Sequence, residues 1–140
     1  MRLAPVLAAA LIAGPASAET VVVRPDLALA AAGRVPEQGR GSVALAVGDT
    51  LRVELPAQPG TGYSWEPRPS ADAVLEAIAN GADCPTGIPT GRFGAVETVC
   101  FAYRALTAGE TTVAFVYRRH WETLPDGVLR YDLAVGVEPR

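Results

Sequence analysis

The sequence predicts an all-β chain folded as an antiparallel β-sandwich of about seven to eight short strands. Three observations carry that prediction. Apolar residues alternate with period two at residues 112–117, where Val113, Phe115 and Tyr117 share a face, and again at Val99, Phe101 and Tyr103. Gly, Pro and Asp clusters break the chain every few residues, as turns between short strands require. Finally, the 122 residues that follow an N-terminal export signal suit one hydrophobic core and are too few for two comfortable ones.

The signal occupies residues 1–18. Arg2 supplies a basic start, residues 6–13 an apolar stretch, and Ala16-Ser17-Ala18 a small-x-small cleavage site. Gly14 and Pro15 break a helix where a signal ends and a core helix would continue. The mature domain is therefore expected to span residues 19–140 and to be periplasmic or secreted. No cysteine adjoins the cleavage point to take a lipid anchor, and no later apolar run is long enough to span a membrane.

Strands are expected at residues 20–24, 42–47, 50–55, 62–66, 73–79, around 99–103, at 112–117 and at 128–137. Residues 25–40 are rich in Ala and Gly and have room for a short helical turn around residues 26–32. Tight turns are expected at Val47-Gly48-Asp49-Thr50, at Thr107-Ala108-Gly109-Glu110 and at Pro125-Asp126-Gly127. Of two longer connections, residues 58–62 precede an aromatic strand, while residues 84–94, between the two cysteines, exceed what a sandwich needs, and such loops usually carry function.

Charge and composition exclude several functions. There is no lysine, and the mature chain sets 11 Arg against 15 acids, a net charge of −4 with the arginines dispersed. Nucleic-acid binding, which needs a concentrated positive surface, is disfavoured. An enzyme lacks parts: His120 is the one histidine, and Ser42, Ser64 and Ser70 stand in no nucleophile-elbow context. Export places Cys84 and Cys100 in an oxidising compartment, where a disulfide is the default. The rival readings are two buried thiols or a metal site, the latter short of soft ligands with two cysteines and His120. No cofactor is expected.

Three loops stand out. Pro59-Gly60-Thr61-Gly62-Tyr63-Ser64-Trp65 joins a backbone free to adopt positive φ with a hydroxyl able to donate and accept; its plain alternative is a turn feeding a core Trp65. Residues 90–95 are glycine-rich, which lets main chain lie close to a partner, and no strand-to-helix pattern makes them a phosphate cradle. Arg119-His120-Trp121-Glu122 ends a strong strand, and Trp and Arg are the types most enriched at binding hot spots.

In that order the loops resemble the chagasin-type inhibitors of papain-like cysteine proteases. That family has an Asn-Pro-Thr-Thr-Gly loop, then Gly-x-Gly-Gly, then Arg-Pro-Trp. Here the counterparts are Gln58-Pro59-Gly60-Thr61-Gly62 followed by Tyr63, then Gly91-Arg92-Phe93-Gly94, then Arg119-His120-Trp121. The resemblance covers residues 43–137. It implies an immunoglobulin-like sandwich, acting as a monomer, whose three loops plug the cleft of a papain-like cysteine protease. By that resemblance Thr61 offers a polar contact near the catalytic cysteine, residues 91–94 lie along one wall, and Trp121 packs on the other.

Departures from the pattern set further expectations. Gln58 replaces the family's Asn, Gly60 its first Thr and His120 its Pro, and the second loop lacks adjacent glycines. Gly60 removes a hydroxyl and adds backbone entropy, and His120 loosens the aromatic loop, so weaker inhibition, a narrower range of targets or loss of inhibition altogether is expected. A Cys84–Cys100 bridge would close a loop of 15 intervening residues around the second element, worth about 3 kcal/mol in the chain-entropy estimate. The competing reading is an exported structural or adhesive module on the same scaffold.

Overall fold

The computed structural model describes residues 17–27, 37–68, 73–83, 97–122 and 129–140. They form β1 (Thr20–Val23), β2 (Glu37–Ala46), β3 (Thr50–Ala57), a 3-10 turn Pro59–Thr61, β4 (Ser64–Arg68), β5 (Leu75–Asp83), β6 (Glu97–Ala105), β7 (Gly109–Arg118) and β8 (Leu129–Glu138). Two four-stranded sheets stack, in the orders β1-β3-β6-β5 and β2-β8-β7-β4. The result is the predicted all-β, immunoglobulin-like sandwich.

Alternation explains the core. Leu51, Val53 and Leu55 of β3 with Phe101 and Tyr103 of β6 meet Val113, Phe115 and Tyr117 of β7 and Tyr131, Leu133 and Val135 of β8. Rings fill the space between sheets: Phe101 and Phe115 lie 5.1 Å apart between centroids, and Tyr103 meets Phe115 edge-on at 6.4 Å. Burial pushes the Tyr103 phenol up to about 12, so it stays neutral at any working pH.

The structure departs from expectation in three respects. First, the sandwich is not purely antiparallel: β1 pairs with β3, and β2 with β8, in parallel. Parallel neighbours need a long connection, and here whole strands intervene: β2 comes between β1 and β3, and β3 to β7 come between β2 and β8. Second, β2 begins at Glu37, so residues 37–40 extend a strand. Of the helical turn expected at residues 26–32, residues 28–32 lie outside the described residues, as does the turn at residues 125–127. Third, β7 is buried on both faces, because Ala114 and Val116 lie in register between Arg68 and Glu66 on β4 and Asp132 and Arg130 on β8. The long side chains there are held in the pairs Arg118–Glu66 and Arg130–Asp132.

Gly41 allows β2 its place. A Cβ there would collide with the Tyr131 hydroxyl and come within 3.2 Å of Tyr131 Cζ, and Tyr131 is itself buried. Gly41→Ala is expected to cost about 2 kcal/mol of stability through overpacking, measurable as a fall in the denaturation midpoint at unchanged slope.

Candidate functional site

The register of the strands decides which loops share an end. Ala57, the end of β3, lies opposite Glu97, the start of β6, while Asp83 at the end of β5 lies opposite Val99. Ser64, the start of β4, lies opposite Arg118 at the end of β7. Residues 58–63, the strand ends that bracket 84–96, and residues 119–122 therefore cluster at one tip. Gly91, Arg92, Phe93, Gly94 and Cys84 lie outside the described residues. Cys100 is buried on β6, in register with Glu54 and Ala82.

The first loop is a closed unit. Thr61 N–H donates to the Gln58 carbonyl at 3.0 Å, and the Thr61 hydroxyl donates to the same oxygen at 2.6 Å while accepting from Tyr63 N–H at 3.3 Å. That hydroxyl shapes its own turn, and the residue stays exposed at the tip. Gly62 takes φ = +84°, a conformation that a side chain would strain. Pro59 and Gly60 form the 3-10 turn with Thr61. Trp65, beyond the loop, is a core residue whose indole N–H donates to the Pro56 carbonyl at 2.8 Å, so this aromatic supports the loop from beneath.

The third loop leans on the first. Trp121 is 61% exposed, yet the edge of its ring rests on Gly62: a Cβ there would stand 2.6 Å from Cη2 and 3.2 Å from Cζ2. His120 meets the Trp121 ring edge-on at 4.8 Å. Arg119 acts as a brace. Its Nε donates to the Thr61 carbonyl at 2.9 Å, its guanidinium stacks 4.3 Å above the Tyr63 ring, and it pairs with Glu122 at 3.5 Å. Glu122 N–H donates back to the Arg119 carbonyl at 3.0 Å, closing the turn, and Arg118 donates to the Glu122 carbonyl at 2.8 Å.

Tyr117 joins the tip to the core, a role the sequence reading missed. Its ring packs against Trp65 at 4.8 Å and Tyr63 at 5.3 Å, and its hydroxyl accepts from Gln58 N–H at 2.9 Å. A tyrosine at the last inward position of a strand, with its polar end reaching the loops, was the available signal. Tyr117→Phe is expected to cost about 1 kcal/mol, since it strips a part-buried amide of its partner; a fall in the unfolding midpoint and faster hydrogen exchange at Gln58 N–H would report it.

Among the described residues no group of His, Cys, Asp and Glu could hold a metal ion. None of the described helices is long and apolar enough to cross a membrane. The described part of the tip offers an exposed indole seated on a turn closed by its own hydrogen bonds.

Residues 44–135, spanning both described loops and the strands that carry them, match the family model described as Chagasin family peptidase inhibitor I42. The chain belongs to the chagasin family. Solved structures with the same fold include the cysteine protease inhibitor EhICP2 from Entamoeba histolytica, at TM-score 0.62 and 16% identity over 89% of this chain and 100% of that one. PbICP-C, solved in complex with falcipain-2, is similar at TM-score 0.57 and 14% identity over 84% and 98%. Amebosin, solved in solution, is similar at TM-score 0.54 and 20% identity over 88% and 100%. No curated protein matches in sequence.

Proposed function

We propose that this chagasin-family protein is a reversible inhibitor of papain-like cysteine proteases that fills the active-site cleft with its tip. Residues 59–63 enter the cleft centrally, Arg119, His120 and Trp121 pack along one side, and residues 91–94 lie along the other. The packing of exposed Trp121 on Gly62 is the observation that carries this reading. A loop pair locked together before docking loses little entropy on binding, and a turn closed by its own hydrogen bonds does not extend as a substrate must. The protease held by the structurally similar PbICP-C supports the same class of partner. Arg119 and Thr61 serve mainly to hold the wedge, leaving Trp121 and the Gly60–Gly62 main chain as the contact surface.

The reading includes export after removal of residues 1–18, action as a monomer, and a Cys84–Cys100 bridge that stiffens the second loop. The test is titration of a papain-like protease with the exported protein. Stoichiometric loss of activity, recovered on dilution, is expected; full activity at a large excess of folded protein would leave an exported binding module instead. Reduction of the bridge should weaken inhibition more than it lowers the unfolding midpoint.

A further inference from the structure

The end of the sandwich opposite the tip is gathered around a buried carboxylate, Asp49, that the inhibitor function does not use. Asp49, buried in the turn between β2 and β3, accepts from Ala46 N–H at 2.8 Å and from Glu19 N–H at 2.9 Å, and pairs with Arg140. Those backbone donors, Ala46 first and then Glu19, hold its carboxyl below the usual range against the opposing effect of burial, with Arg140 adding to them. The Glu19 carbonyl accepts from Thr50 N–H at 2.8 Å, so Glu19 is fixed at both main-chain ends. Arg140 also donates to the Val47 carbonyl at 2.8 Å and to the Ser17 carbonyl at 3.0 Å.

Glu19 is the residue at which the mature chain is expected to begin, so its nitrogen is the atom that leader removal changes. We propose that the processed N-terminus is a structural ligand: the α-ammonium of Glu19 pairs with the Asp49 carboxylate and locks β1 onto the sandwich. The inference rests on the export reading. Water hydrolyses the Ala18–Glu19 amide under a signal-cleaving peptidase; Ala18 leaves as a carboxylate on the leader, and the Glu19 amine takes up a proton. A neutral donor thereby becomes a cationic one at a site already shaped for it. Ser17, one acceptor of Arg140, departs with the leader, and Arg140 keeps Val47 and Asp49. Because the folded domain holds the Glu19 nitrogen against Asp49, cleavage belongs before β1 docks.

The chain has no lysine, so in the processed protein this α-amine is the sole primary amine and amine-directed acetylation reports on it alone. The experiment takes the exported, processed protein, and its intact mass is read first. A start at Glu19 is expected; any other start overturns both the leader assignment and this proposal. The amine should then acetylate about tenfold or more slowly than that of a free peptide of residues 19–24, and acetylation should lower the unfolding midpoint by about 3–5 °C. In Asp49→Asn the rate should approach the peptide's and the acetylation penalty should largely vanish. A wild-type rate equal to the peptide's, or an unchanged midpoint after acetylation, overturns the proposal without recourse to the variant. Protease inhibition, read separately at the opposite tip, is expected to survive acetylation.

Discussion

Trp121→Ala is expected to raise the inhibition constant against a papain-like cysteine protease about 30-fold, while the unfolding midpoint stays nearly unchanged. The indole is 61% exposed in the free protein, so truncating it removes little from the core. It is also the exposed large aromatic among the described tip residues, and burying such an anchor in a partner's cleft is worth on the order of 2 kcal/mol. Inhibition kinetics and a thermal melt on the same sample check both halves. Equal potency of the variant and the wild type would place the contact surface elsewhere.

Gly62→Val is expected to damage fold and function together. At φ = +84° a β-branched residue pays about 1–2 kcal/mol of backbone strain, which appears as lost stability. The new side chain also occupies the place of the Trp121 ring edge and pushes the ring off its seat toward solvent. The inhibition constant should therefore rise by about as much as for Trp121→Ala. Because both changes remove the same seated indole, the double variant should inhibit scarcely worse than either single one. Full additivity in that cycle would show that the ring's seat on Gly62 is incidental to binding.

Much of the fold was legible because alternation reports directly on a two-faced strand. Phe101 and Tyr103 on β6, with Phe115 and Tyr117 on β7, were placed on inward faces from period two alone, and they are buried. The parallel pairs β1–β3 and β2–β8 were not legible, since their partners lie far apart in sequence and no turn residue signals them. Nor was the length of β2: Glu37 to Gly41 is polar and glycine-bearing, and only the close approach of Tyr131 explains why Gly41 lies in a strand.

At the tip, the sequence by itself determined the order and residue types of the loops, because glycine placement, an aromatic at a strand end and an adjacent arginine are local features. The contacts between loops were decided by tertiary structure alone. Arg119 became a brace across 58 residues to Thr61, and Trp121 came to rest on Gly62. The distal end was decided the same way, where Asp49 gathers Glu19 and Arg140 from opposite ends of the described chain. The physical reason is common to both the Arg119 brace and the Asp49 cluster: which donor reaches which acceptor depends on where two stacked sheets place residues far apart in the chain, and no local pattern encodes that distance.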